Sequence, residues 1–259
     1  MTGETLYTAT KYFRPFPEPE VVFAGDVARH AEFLLPLASV DLSHLSRDWS
    51  GWLHFVTPIE PEEGMVGSEA GPYYNYLCRE NWVGYHIRDG KYEFATDFRY
   101  FQKSRQDEQQ PAAEGAPDKA RLSLAVHYED MKGGYNVQKA NFHERGCLHH
   151  AWAKRGFFGY KNSDRVQLVK DLGGVSREAN WSNLDNFPLS SPGNWVDEEG
   201  TDWKLVCPLT EDGRLFTYIG MVSVNEYVRP NPDFRGMDAD LHLFYDPVGR
   251  VALTTFDFS

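Results

Sequence analysis

Residues 239–258 limit the possible folds more than any other stretch of the sequence. Two runs rich in β-branched and aromatic residues, "ADLHLFY" and "VALTTFDF", flank Asp246–Gly249, where Pro and Gly favour a tight turn. This arrangement predicts a β-hairpin. Alternation of the same kind recurs in "GWLHFVTP", "KYEFATDFRYFQ", "RLSLAVHYED", "DWKLVCPLT" and "RLFTYIGMVSVNEYV". The sequence therefore predicts a mainly β protein of the α+β kind, with few short helices.

Two short helices are expected between these strands. In "AGDVARHAEFLLPLASVDL", Asp26 can cap a run of helical spacing that Pro36 ends. The second candidate is "CLHHAWAKRGF", which ends at a glycine.

The amino-acid composition limits which kinds of molecule the chain can bind. The chain has 259 residues, of which 41% are hydrophobic and 15% aromatic, so it can bury a sizeable core. Its 38 acidic and 26 basic residues give a formal charge of −12. Because a phosphate backbone repels such a surface, direct nucleic-acid binding is disfavoured, whereas a basic protein partner is favoured.

The compartment is expected to be the cytoplasm. The amino terminus lacks the apolar segment of a signal peptide, and no apolar run approaches the ~20 residues of a membrane span. The three cysteines, Cys78, Cys147 and Cys207, lie far apart, as is typical of a reducing environment. We expect no membrane partner.

One segment interrupts the strand pattern. Residues 104–120, "SRQDEQQPAAEGAPDKA", contain no apolar side chain larger than Ala or Pro. This composition predicts a mobile loop or linker between a β-rich half, residues 1–103, and a second β-rich half, residues 121–259.

An internal similarity links the two halves. "LPLASVDLSHLSRDWSGWLHFVTP" and "YIGMVSVNEYVRPNPDFRGMDADLHLFYDP" each contain an apolar run that ends in Val40-Asp41 or Val224-Asn225. A polar loop and an alternating strand that closes on proline follow in both, and the second copy is longer by about six residues. The pattern predicts two similar β-sheet halves in one compact unit.

The stretch "NFHERGCLHH" concentrates groups that could carry chemistry: His143, Cys147, His149 and His150. Their spacing lacks the usual zinc-ligand pattern, and no second Cys or His cluster follows. Cys147 and His149 are the right groups for a thiolate nucleophile, but residues two apart rarely face each other. An enzyme that uses Cys147 or His149 is therefore the least favoured of the three functions considered for this sequence.

Cofactor motifs do not appear. The glycine pairs in "KDLGGV" and "DMKGGYN" lack a phosphate-loop arrangement and are interpreted as hairpin turns. The sequence thus predicts no catalytic residue, no metal and no cofactor.

The acidic segment "NWVDEEGTDW" is the strongest candidate for a binding surface. Indoles supply buried area at binding hot spots, and carboxylates steer a basic partner. The alternative is a solvated loop that keeps the protein soluble. The predicted partner-binding residues are Trp195, Asp197, Glu198, Glu199, Asp202 and Trp203.

The segment "FLLPLASVDLSHLSRDWSGWLHFV" resembles the signature of the YwqG-like family of bacterial proteins of unknown function. That signature has an apolar run, a polar stretch and a Gly-apolar-apolar-Phe strand. The closing "DGRLFTYIGMVSVNEYV" and "ADLHLFYDPVGRVALTTFDF" are similar to the carboxyl halves of related proteins. The family usually has a polar Gln where this chain has "PLASV", so no ligand role of that Gln is carried over.

The resemblance implies a function. Members of the wider group appear among immunity proteins, which neutralise toxins injected by the bacterial type VI secretion system. We therefore expect a non-enzymatic protein that binds a cognate basic toxin, a type VI secretion DNase, and occludes its active site with the acidic surface. A YwqG-like regulatory module remains open as the alternative, with a small molecule or peptide held in a groove between the halves.

Overall fold

The computed structural model describes 3–108, 119–149, 165–197, 199–229 and 239–258, with only the backbone described for residues 119–121. The described residues are mostly β, which confirms the predicted fold class. Five of the six α-helices have four to seven residues, whereas one has 27. Within the described residues, no helix is both long and apolar enough to cross a membrane.

Twelve strands and six α-helices are described; the strands are given first and then the helices, each numbered in chain order. The strands are β1 (Glu4–Leu6), β2 (Phe13–Pro15), β3 (Leu34–Asp41), β4 (Trp52–Pro58), β5 (Trp82–Arg88), β6 (Lys91–Phe94), β7 (Val169–Leu172), β8 (Leu189–Val196), β9 (Asp202–Pro208), β10 (Thr217–Ser223), β11 (Ala239–Asp246) and β12 (Val251–Phe258). The helices are α1 (Pro19–Val22), α2 (Val27–Phe33), α3 (Leu42–Leu45), α4 (Gln102–Glu108), α5 (Lys119–Arg145) and α6 (Val224–Val228).

The strands form three antiparallel sheets. The central sheet has seven strands in the order β1-β7-β10-β11-β12-β5-β6, so it takes strands from both sides of residues 104–120. A three-stranded sheet has the order β2-β3-β4, and β8 pairs with β9 in a separate hairpin.

Two hydrophobic cores lie on opposite faces of the central sheet. Alternation along β11 places Leu241 and Leu243 in the first core and Phe244 in the second. The first core also holds Phe55 of β4 and Met131 of α5. The second core lies under the β8–β9 hairpin and contains Trp82, Trp181, Phe187, Val206, Phe216, Tyr218, Phe244, Val251 and Leu253.

The predicted hairpin at the carboxyl end is confirmed. β11 and β12 pair without interruption from Ala239 opposite Phe258 to Asp246 opposite Val251. The Asp246 carboxylate accepts hydrogen bonds from the backbone N–H groups of Val248 (3.0 Å) and Gly249 (2.9 Å), which fixes the turn.

The internal similarity corresponds to a repeated strand–helix–strand unit, β3-α3-β4 and β10-α6-β11. Each copy has a register shift in its first strand, next to Ala38 or Gly220. Ala38 pairs with Phe55, and Gly220 pairs with Leu243. The offset between the copies is thus 182 in the first strand and 188 in the second, so the second copy is six residues longer.

The register also corrects the alignment of the two copies. With an offset of 182, Asp41 corresponds to Ser223, and each residue is the N-cap of the helix that follows. The match of Val40 with Val224 in the sequence is therefore displaced by two residues. The two copies lie in different sheets.

Helix α5 contradicts two sequence interpretations. "RLSLAVHYED" is helical rather than a strand, and the glycines of "DMKGGYN" lie inside the same helix rather than in a turn. Leu124, Tyr128, Met131 and Tyr135 recur at helical spacing and are buried, whereas Leu122 is 50% exposed. Burial follows that helical spacing and not the alternation of leucines.

The predicted loop at 104–120 is also partly helical. Residues 104–108 belong to α4 and residues 119–120 to α5, while 109–118 lie outside the described residues. Polar composition did not prevent helix formation, because Glu60 binds the first backbone N–H groups of α4. In "CLHHAWAKRGF", residues 147–149 are not helical, and the remainder lies outside the described residues.

Candidate partner-binding site

The predicted site lies at the tip of the β8–β9 hairpin. Trp195 pairs with Trp203, and Val196 pairs with Asp202. The other edge of β9 is covered by an extended segment, in which the Ser176 carbonyl accepts from Val206 N–H at 3.1 Å. Val206 belongs to the second core, so the hairpin is anchored at its base while its tip projects.

Asp197 organises the turn at this tip. One carboxylate oxygen accepts from the backbone N–H groups of Glu199 (3.0 Å) and Thr201 (2.8 Å), and the other accepts from Trp203 Nε1 (2.9 Å). The hydrogen bond from Trp203 is the main reason why the pKa of Asp197 is lowered. The carboxylate of Asp197 is thus engaged within the hairpin.

The two predicted tryptophans share a cation. The guanidinium carbon of Arg177 lies 5.4 Å from the ring centroid of Trp195 and 5.1 Å from that of Trp203, within cation–π range. Both indoles are half-buried. Sequence reasoning missed Arg177, because it lies eighteen positions before Trp195 and belongs to no motif.

Two carboxylates at the tip remain available to a partner. Glu199 and Asp202 are exposed, and neither forms an ion pair with a described residue. Asp202 accepts one hydrogen bond, from Asn194 at 3.1 Å. Glu198, the remaining predicted residue, lies outside the described residues.

The Cys147 region has a different geometry from the one that its sequence suggests. Cys147 Sγ lies 3.9 Å from His149 Nε2, so these two neighbours do face each other. The thiol is buried, and His150 lies outside the described residues. In the described part of the chain, no three His, Cys, Asp or Glu side chains are grouped to hold a metal ion.

The buried titratable groups belong to the packing of the sheets. Burial lowers the pKa of His54 to about 4 and that of His242 to about 3. The two histidines occupy the same position in the repeated unit, opposite Ser39 and Met221 respectively. Burial also raises the pKa of Cys78 to about 12, so this thiol is held protonated in the core.

Comparison with known proteins adds no relative. No protein-family model matches the chain, and no curated protein or solved structure is significantly similar to it. The resemblance to the YwqG-like family therefore stays a prediction from the sequence.

Proposed function

We propose that this chain is a non-enzymatic immunity protein that binds and neutralises a cognate secreted bacterial toxin. The resemblance of its sequence makes a type VI secretion DNase the expected class. Nuclease toxins are basic because they hold DNA, so an acidic protein can cover the active site and occlude it. The proposed mode of action is binding alone.

One observation carries this proposal: the hairpin tip combines exposed carboxylates with half-buried indoles. Trp and Arg are the residue types that dominate binding hot spots, and Trp195, Trp203 and Arg177 lie together here. Glu199 and Asp202 add negative charge at the edge of this patch. Opposite charges on the partner would raise the association rate constant towards ~10⁸ M⁻¹s⁻¹ at low salt.

Tight binding to a toxin requires a large interface. Neutralising a lethal enzyme calls for sub-nanomolar affinity, about −12 kcal/mol, and stable interfaces of that kind bury roughly 1,600 Å² in total. A hairpin tip is smaller than one partner's share of that area. The binding surface must therefore extend beyond the tip.

The direct test is an affinity pull-down from the source bacterium, with mass spectrometry of the retained proteins. We expect a basic, toxin-like protein that forms a stable one-to-one complex on co-expression. Retention of acidic or neutral proteins alone would contradict the proposal.

Charge reversal at the tip tests the site. The double variant Glu199→Lys/Asp202→Lys should slow association with the retained partner about tenfold at low salt, and the deficit should shrink as salt screens the charges. Stopped-flow fluorescence measures this rate. Asp197 is left intact, because its replacement would disrupt the turn itself.

The matched control is Glu63→Lys/Glu129→Lys. Both residues are exposed, and Glu129 lies on α5, which packs on the opposite face of the central sheet. The control changes the net charge by the same amount but at positions away from the hairpin tip. It should therefore alter the association rate less than twofold. Equal slowing in both double variants would show that overall charge, and not the hairpin tip, controls association.

A further inference from the structure

A second acidic surface lies far along the chain from the hairpin tip, at the turn between β11 and β12. A groove of about 670 Å³ opens there, a volume typical of binding sites. Its walls come from residues 75–77, His86 of β5, the loop 210–216 and the turn 246–251, so both halves of the sequence contribute to it.

The side chains that line this groove carry a net negative charge. Three carboxylates, Glu211, Asp212 and Asp246, outnumber the single guanidinium of Arg214, which leaves a formal charge of −2. Arg214 is fully engaged, with Nη2 at 3.0 Å from Asp246 and Nε at 2.9 Å from Asp212. Arg214 also lowers the pKa of Asp212 to about 2. The exposed Glu211 forms no ion pair with a described residue, so the groove favours a cation.

The walls of the groove suit a basic side chain with a long apolar stem. Tyr76 lines the groove with an aromatic ring of the kind that attracts cations; the guanidinium carbon of Arg79, which does not line the groove, lies 5.3 Å from the ring centroid. The Tyr76 hydroxyl donates to the Leu209 carbonyl at 2.8 Å, which fixes the ring. Leu77 and Val251 offer apolar contact to the methylene stem of a lysine or arginine.

A second cleft, of about 480 Å³, lies on the other side of the same turn. It combines the indole of Trp49 with Asp48 and Asp89, which outnumber Arg250 and leave a formal charge of −1. Between the two clefts, at the tip of the turn, Val248 is 74% exposed. An exposed apolar side chain between two acidic, aromatic clefts is typical of a protein–protein interface, in which an apolar centre is surrounded by a charged rim.

We propose that this region, the turn face, is a docking surface for a basic protein. The turn face is defined by the two clefts and Val248, and each cleft receives a lysine or arginine side chain of the partner. The inference rests on the proposed function only for the identity of that partner as a toxin. It also supplies contact area that the hairpin tip lacks.

The groove can be tested without knowledge of the partner. A blocked hexapeptide with two arginines and two lysines is titrated into ¹⁵N-labelled protein, and a glutamate peptide of the same length serves as the comparison. We expect amide shifts concentrated at Tyr76, Glu211 and Gly249 with the basic peptide only. Glu211→Lys should weaken this binding at least fivefold, whereas Glu129→Lys, the same substitution at an exposed position of α5, should weaken it less than twofold.

Three results would overturn the inference. Shifts spread evenly over the acidic surface, or equal losses in Glu211→Lys and Glu129→Lys, would mean nonspecific attraction. Methylguanidinium that binds the groove as tightly as the peptide would assign it to a free small cation instead of a protein.

The proposed function is tested separately from the turn face. If a toxin is retained by the protein but the double variant Asp48→Lys/Glu211→Lys retains it equally well, the turn face is excluded and the immunity proposal stands. If no toxin is retained but the peptide binds the groove as expected, the turn face stands and the immunity proposal fails.

Discussion

At the scale of single residues, the acids of "VDEEGTD" have different roles although they look alike in the sequence. Asp197 receives three hydrogen bonds within the hairpin, whereas Glu199 and Asp202 are exposed. The first is a structural residue and the other two are candidates for contact with a partner. A count of charges cannot make this distinction, because it depends on where the backbone N–H groups point.

Replacing Asp197 should loosen the turn. In Asp197→Ala, the amides of Glu199 and Thr201 lose their acceptor, so their hydrogen exchange should accelerate while the global unfolding midpoint changes little. Because the pKa of Asp197 is lowered in the folded protein, its contribution is present above the unfolded pKa and is lost as pH falls through the folded value. Asp202→Asn is the control, and unchanged exchange at both amides would contradict this role.

The two repeated histidines predict how stability depends on pH. Their folded pKa values, about 4 and about 3, lie below the ordinary value of 6.5, so the unfolded chain binds more protons in acid. The free energy of unfolding should therefore fall as pH drops below 6.5, by about 2 kcal/mol for each histidine at pH 5. Urea unfolding at pH 7.5 and pH 5 measures this. Equal stability at the two pH values would contradict the prediction.

A matched pair of substitutions separates the two positions. His54 Nδ1 lies 2.7 Å from Ser39 Oγ, whereas His242 has no hydrogen-bond partner on either ring nitrogen among the described residues. At pH 7.5, His54→Leu should cost about 1–3 kcal/mol because it leaves a buried hydroxyl unpaired. His242→Leu should leave stability unchanged or raise it. Each variant should halve the acid sensitivity.

At the scale of elements, a buried carboxylate connects the helices to the smaller sheet. Glu60, just after β4, accepts from the backbone N–H groups of Gln102 (2.7 Å) and Lys103 (2.8 Å) and from the Tyr128 hydroxyl (2.8 Å). It therefore caps the start of α4 and holds α5 at the same time. Burial raises the pKa of Glu60 above its ordinary value.

Removing these hydrogen bonds should destabilise the protein. Glu60→Ala leaves two backbone N–H groups and a tyrosine hydroxyl without their acceptor, so we expect a loss of about 3 kcal/mol in urea unfolding. Tyr128→Phe removes one donor and should cost about 1–2 kcal/mol. Glu63→Ala is the control, because Glu63 is exposed and contacts neither helix through a hydrogen bond among the described residues. Equal stability of Glu60→Ala and Glu63→Ala would show that the carboxylate does not connect these elements.

At the scale of the whole molecule, the sequence predicts what local patterns encode. The hairpin of β11 and β12 and strand β4 follow from alternation and turn residues, and the six-residue difference between the repeated units is visible by counting. Helix α5 was missed because its first turns alternate like a strand, and only burial of Tyr128 and Met131 shows the helical face. Arg177 and the turn face bring together segments distant in the chain, so no sequence pattern could indicate them.

The two acidic, aromatic surfaces, the β8–β9 hairpin tip and the turn face, are proposed to bind one basic protein. Hydrogen–deuterium exchange of the complex with the retained partner tests this most directly. We expect the slowed amides to include those of Trp195–Trp203, together with the turn around Val248. Slowed exchange confined to α5, on the opposite face of the central sheet, would exclude both surfaces.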